Sequence, residues 1–211
     1  MASVTPTDRP KLRSGLRDAP PKIEAALAGF ETCGDPALIE ALDAARAFCT
    51  AMAGKYTPAY WLSLLGPSGT GKTMLARRCV RFFQQHLDGF LDERHDPTYE
   101  RYHRRGGLKG WAGVVGDMLA GDYTGLRNLR DDWLVTLDDI GSEHERHREL
   151  STSKLYEILN ARAGRFTLIT ANLDLEQINR RLDARLASRL LRDGNVVVDV
   201  STVDYNLRPR L

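Results

Sequence analysis

Residues 62–73 read Leu62-Ser63-Leu64-Leu65-Gly66-Pro67-Ser68-Gly69-Thr70-Gly71-Lys72-Thr73, and no other stretch constrains the fold as strongly. The apolar run 62–65 predicts a buried strand. Residues 74–86 predict a helix, with Leu75, Cys79, Phe82 and Phe83 at helical spacing. Between them, residues 66–73 fit G-x-x-x-x-G-K-[ST] without a mismatch. Glycines let backbone N–H groups converge on phosphate oxygens, and the helix N-terminus adds positive partial charge at the same point. The expected phosphate-binding set is Gly66, Pro67, Ser68, Gly69, Thr70, Gly71, Lys72, Thr73 and Met74. Lys72 is expected to reach the β- and γ-phosphates, and the Thr73 hydroxyl to ligate Mg²⁺. The ligands implied are ATP and Mg²⁺.

The 211 residues suit one α/β domain with a short extension. A net charge of +2 creates no general field for nucleic acid, so local charge matters more than the total. Cys33, Cys49 and Cys79 are scattered, without a C-x-x-C pair. This argues against a zinc site or a disulfide framework and fits a reducing cytoplasm. No run is long and apolar enough for a transmembrane span, and residues 1–21 lack the apolar core of a secretory signal. That segment carries Pro6, Pro10, Pro20 and Pro21 with Arg9, Lys11, Arg13 and Arg17. It is expected to be a disordered basic tail, with an arm for DNA or a partner protein as the other reading; residues 22–211 form the domain.

Ile23, Ala26, Leu27 and Phe30 mark a first helix. Asp35-Pro36 opens a second as N-cap and N1, with Leu38, Ile39, Leu42, Ala45, Phe48 and Met52 as its apolar stripe. Residues 87–132 are the least legible. Within them, 99–109 is basic and aromatic and predicts an edge strand entering a glycine loop, and 111–119 predicts a short helix. Arg101, Arg104, Arg105 and Lys109 would suit single-stranded DNA, arginine meeting phosphate and tyrosine stacking on bases; a solvated edge strand is the equal alternative. Strands are further expected at 133–137, 166–170 and 196–200, and helices at 151–163, closed by Gly164, and 175–192. Short apolar runs alternating with helices imply a mostly parallel five-stranded sheet covered on both faces, a three-layer α/β architecture.

Ligands of such sheets bind at the C-terminal strand ends. Asp138 ends an apolar strand there, placed to hold the Mg²⁺ water shell opposite Thr73. Asp139 follows and could position or deprotonate an attacking water, though its side chain is one methylene shorter than glutamate. Asn172 ends the next strand, where it could bond the γ-phosphate or the lytic water; its other reading is a helix N-cap. On the helix that follows, Arg181, Arg185 and Arg189 recur at four-residue spacing, one position ahead of Leu182, Leu186 and Leu190. Such a stripe repels itself unless phosphate neutralises it, as an arginine finger does for a neighbouring subunit; a solvated basic face is the alternative. His144 and His147 lie in a charged loop without a third ligand and read as solvated.

With these residues in place, the chain resembles the DnaC/IstB-type AAA+ ATPases, the helicase-loader family with its transposition relatives. The resemblance rests on residues 66–73 together with Leu137-Asp138-Asp139-Ile140-Gly141, Asn160-Ala161-Arg162, Thr170-Ala171-Asn172-Leu173, Ser188-Arg189-Leu190 and Val203-Asp204-Tyr205-Asn206. It implies an AAA+ core without a separate helical lid, Asn172 as sensor 1, Arg189 as the finger and Arg185 as a second arginine on the same face. It further implies a homo-oligomer sharing its ATP sites, contact with single-stranded DNA, and delivery of the replicative DNA helicase. Two departures stand out: fewer than about 30 residues precede the core, too few for a helicase-binding domain of their own, and Asn206 stands where the family commonly has Arg.

The expected function is an ATPase of DNA replication, slow and oligomer-dependent, acting as a helicase loader. The alternatives are an IstB-like transposition helper, a small P-loop nucleotide kinase, and a nucleotide-switched interaction module that does not hydrolyse.

Overall fold

The computed structural model describes residues 19–54, 58–86, 107–192, 194–202 and 204. Its α-helices are α1 (Ala19–Leu27), α2 (Pro36–Ala53), α3 (Lys72–His86), α4 (Trp111–Leu119), α5 (Thr124–Asp131), α6 (Arg148–Ala161), α7 (Leu175–Arg181) and α8 (Ala184–Leu190). Its strands are β1 (Trp61–Leu65), β2 (Gly107–Gly110), β3 (Leu134–Ile140), β4 (Phe166–Ala171) and β5 (Val196–Asp199). They form one sheet, ordered β2-β3-β4-β1-β5, in which every pair is parallel.

Strand periodicity divides the core. Leu62 and Leu64 of β1, and Phe166 and Leu168 of β4, face one apolar cluster with α1, α2 and α3. Trp61, Leu65, Ile169 and Ala171 face the opposite cluster with α4 to α8. Each inner strand is therefore apolar on both sides, as a parallel sheet between two helical layers requires. The sheet's far end from the phosphate loop is tied by Arg162, which is fully buried. Its guanidinium donates to the carbonyls of Leu129 and Asp132 at 2.9 Å, to that of Phe166 at 2.6 Å, and to Thr167 Oγ1 at 2.9 Å. Burial draws its pKa down to about 9.

Several expectations are corrected. Helix α1 begins at Ala19, so Pro20 and Pro21 lie inside its first turn, where a missing N–H costs nothing. Asp35 caps α2 as expected, accepting from the N–H groups of Ala37 and Leu38 at 2.9 and 3.3 Å, but Ile39 of the expected stripe is 42% exposed. Helix α5 was not legible. Helix α6 starts at Arg148 and is capped at Arg162 rather than Gly164. The expected helix over 175–192 is two helices: Leu182 leaves helical geometry, and Asp183 caps α8 by accepting from the Arg185 N–H at 2.7 Å. The arginine stripe is broken with it, Arg181 closing α7 while Arg185 and Arg189 share α8. The expected tail lies outside the described residues up to position 18, as do 99–106 of the basic run and positions 203 and 205–211.

Candidate nucleotide site

Gly66 starts the phosphate loop at φ +127°, and a Cβ there would meet the Val200 carbonyl at 3.0 Å. The loop therefore leaves β1 pressed against the end of β5, where the Val200 N–H donates to the Leu65 carbonyl at 2.7 Å. Only glycine fits this exit. Asp204, the described member of the closing motif, packs on Gly69, since a Cβ on that glycine would lie 2.3 Å from its carboxylate.

Lys72 and Thr73 open α3, at the positive end of its dipole. Lys72 is buried, and its ammonium folds back onto the Pro67 carbonyl and, at 3.2 Å, onto Thr70 Oγ1. Burial pulls its pKa down to about 8, against the opposing pull of Asp139 and Asp138. An ammonium held so close to its own loop is ready to exchange these partners for phosphate oxygens.

Strands β3 and β4 bring the remaining groups to the same end of the sheet. Asp138 is buried, and its Oδ1 accepts from Thr73 Oγ1 at 2.8 Å and from Thr170 Oγ1 at 2.7 Å. The Thr170 hydroxyl also accepts the Asp139 N–H at 2.9 Å. At Asp139 the backbone is left-handed, φ +62°, and the β3–β4 register shifts between Leu137 and Ile140. Asn172 donates its side-chain N–H to Asp139 Oδ1. It is not a helix cap; Asp174 caps α7, in a reciprocal box with Gln177. A cleft of about 340 Å³ opens over the loop, and Lys72, Thr73, Met74, Asp138, Asp139 and Asn172 line it.

Thr73 and Asp138 form a hard-oxygen pair, and no group of three or more His, Cys, Asp and Glu able to hold a metal occurs among the described residues. That donor set fits Mg²⁺, which takes one or two protein oxygens and completes its shell with water and phosphate.

The arginines lie elsewhere. Neither Arg185 nor Arg189 lines the cleft. Arg189 donates to Tyr156 Oη at 3.5 Å and lies 5.4 Å from that ring's centroid; Arg185 lies 4.7 Å from it and pairs with Asp183 at 2.7 Å. The bond from Arg189 holds the Tyr156 phenol below its usual pKa. Lys109 ends the exposed side of β2, whereas Arg101, Arg104 and Arg105 fall outside the described residues. His144 and His147 stack edge-on at 6.2 Å.

Sequence reasoning passed over Thr170 and Glu143 as site residues. Thr170 is one of many strand threonines, and only the register that sets β4 beside β3 reveals its two bonds. Glu143, two residues after Gly141, carried no local signal.

Comparison with solved structures places this architecture. The chain is similar to the crystal structure of DnaI, at TM-score 0.57 and 19% identity over 85% of this chain and 93% of that one. It is also similar to the replication initiator DnaA bound to AMPPCP and single-stranded DNA, at 0.52 and 15%, covering 84% of this chain. The fold is that of an AAA+ P-loop core. A DNA replication initiation factor matches at 0.52 and 14% over 82% of this chain. The chain spans about half the length of the latter two, 48% and 50%, so what it shares with them is the AAA+ core. No protein family model matches the sequence, and no curated protein matches it. The DnaC/IstB-type resemblance is consistent with these neighbours. Among the described residues, no helix is long and apolar enough to cross a membrane.

Proposed function

We propose that the protein is an ATP-hydrolysing AAA+ protein of DNA replication, acting on single-stranded DNA as a loader of the replicative helicase. The observation that carries the reading is the cluster in which Thr73 and Thr170 converge on Asp138 while Asn172 engages Asp139. It combines an oxygen pair suited to Mg²⁺ with an acid and amide suited to holding a water against the γ-phosphate. The phosphate-loop amides and Lys72 bind the triphosphate, and bound Mg²⁺ supplies charge neutralisation on its oxygens. Asp139 orients the water, and Asn172 fixes the carboxylate.

The position of Arg189 outside the cleft supports a site completed by a second copy, with Arg189 as the finger and Tyr156 as its rest position. Arg185 is held by Asp183 and enters only if that pair opens. The DnaA neighbour, solved with AMPPCP and single-stranded DNA, and the similarity to DnaI support the choice of ligand and process.

The test is ATP turnover with and without single-stranded DNA. Lys72→Ala should abolish it; Arg189→Ala should retain nucleotide binding and lose the concentration-dependent component of turnover. Turnover that persists in Lys72→Ala overturns the reading. Turnover requiring a phosphoryl acceptor points to a kinase, and binding without turnover to an interaction module. Co-precipitation with the replicative helicase of the source cell, with and without residues 1–21, tests the partner.

A further inference from the structure

The turn that follows Asp139 is built more firmly than a loop needs. Asp139 sits at φ +62°, a conformation that costs a non-glycine residue about 1 kcal/mol or more and persists only where the surroundings enforce it. Its N–H is held by Thr170, and its carbonyl accepts from Ser142 Oγ at 2.7 Å and from the Ser142 N–H at 3.3 Å. The next fixed point is Gly141, at φ +88°, where a Cβ would stand 2.6 Å from Leu173 Cδ1.

The Gly141 N–H donates to Glu143 Oε2 at 2.9 Å. The other oxygen of the same carboxylate accepts from Ser151 Oγ at 2.6 Å, and Ser151 in turn accepts from Trp111 Nε1 at 2.7 Å. Ser151 and Trp111 are both fully buried. Trp111 opens α4 at the end of edge strand β2, and Ser151 lies in the first turn of α6. One carboxylate thus joins the turn after β3 to two helices that are rigid where they meet it.

We propose that Glu143 is a positioning residue: anchored by Trp111 through Ser151, it fixes Gly141 and thereby the left-handed Asp139 that faces Asn172. The consequence for turnover rests on the reading of Asp139 given above; the clamp itself does not. Glu143 does not line the cleft, so it acts through the backbone of the turn.

Glu143→Ala and Glu143→Gln separate the possibilities. Alanine leaves the Gly141 N–H without its acceptor. Glutamine keeps an oxygen for that N–H and can offer its amide to Ser151 Oγ. Two quantities are measured: kcat alongside ATP affinity, and hydrogen exchange of the Gly141 amide. Glu143→Ala should lower kcat about tenfold or more with affinity within about twofold, and speed Gly141 exchange about tenfold or more. Glu143→Gln should bring both back to within about threefold of the unsubstituted protein. Unchanged exchange in Glu143→Ala overturns the proposal, as does an equal loss of kcat in both variants, which would place the charge of Glu143 in the chemistry. If the unsubstituted protein hydrolyses no ATP, the reading of Asp139 fails, and the exchange data still decide the clamp.

Discussion

Two buried threonines of the sheet should respond oppositely to the same substitution. Thr170 of β4 is 1% exposed, and its hydroxyl makes two bonds, donating to Asp138 Oδ1 and accepting from the Asp139 N–H. Thr136 of β3 is 0% exposed, and its hydroxyl has no partner among the described residues. Valine matches the shape of threonine in both places and removes the hydroxyl. At position 170 the swap strands a buried N–H and takes a charge-assisted bond from a carboxylate. Each loss is worth about 1–3 kcal/mol, part of which is returned by burying a methyl in place of a hydroxyl. We expect Thr170→Val to destabilise by about 2–3 kcal/mol. At position 136 the swap removes an unsatisfied group, and Thr136→Val should stabilise by about 1 kcal/mol. Urea unfolding followed by fluorescence and by far-ultraviolet circular dichroism reads both. With a slope of about 2 kcal/mol/M, the midpoint should fall by about 1 M in Thr170→Val and rise by about 0.5 M in Thr136→Val. Thr170→Ser, which keeps the hydroxyl, should recover most of the loss. Midpoints that move together, or no recovery in the serine variant, would refute the reasoning.

Three further outcomes follow from the same structure. Lys72 has a folded pKa of about 8 against an ordinary 10.5, so below pH 8 it is charged in both states and its burial cost is fully present. Between pH 8 and 10.5 the folded state loses the proton first and the cost is relieved, by up to about 3 kcal/mol; stability relative to Lys72→Met should therefore rise from pH 7.5 to 9.5, and parallel profiles would contradict this. Triphosphate binding restores the charge and takes up a proton above pH 8, so calorimetry in buffers of different ionisation heat should show proton uptake that Lys72→Met lacks. Arg162→Met leaves three backbone carbonyls without their donor and should cost about 3–5 kcal/mol by urea unfolding, a loss that Arg162→Lys, with fewer donors in a different geometry, should only partly recover.

Legibility in the sequence followed distance along the chain. The phosphate loop, the Asp35 cap and the 111–119 helix are local patterns, and each appears where expected. Asp138, Asp139 and Asn172 were readable because each ends an apolar strand, and parallel strands gather such ends. The break at Leu182 escaped because Ile178, Leu182, Leu186 and Leu190 keep four-residue spacing across it, while Asp183 competes for the backbone as a cap. Helix α5 offers only Leu126 and Leu129 as buried residues and holds Gly125, too little periodicity to register. Thr170, Glu143 and Tyr156 owe their roles to partners 13 or more residues away or to a turn geometry, and neither leaves a local trace.

The place of β1 in the sheet bears on how the chain is made. Both of its neighbours are synthesised long after it: Trp61 pairs with Thr167 of β4, and Leu62 with Val196 of β5. As the chain leaves the ribosome, the phosphate-loop strand has no hydrogen-bonded neighbour until more than a hundred further residues have appeared. Such late, long-range closure is slow and leaves an apolar strand uncovered meanwhile. Nucleotide cannot shorten that interval, because Thr170 and Asn172 arrive on the same late strand. Binding should therefore report the completed domain, and chains truncated before residue 166 should be captured by chaperones rather than rescued by ATP.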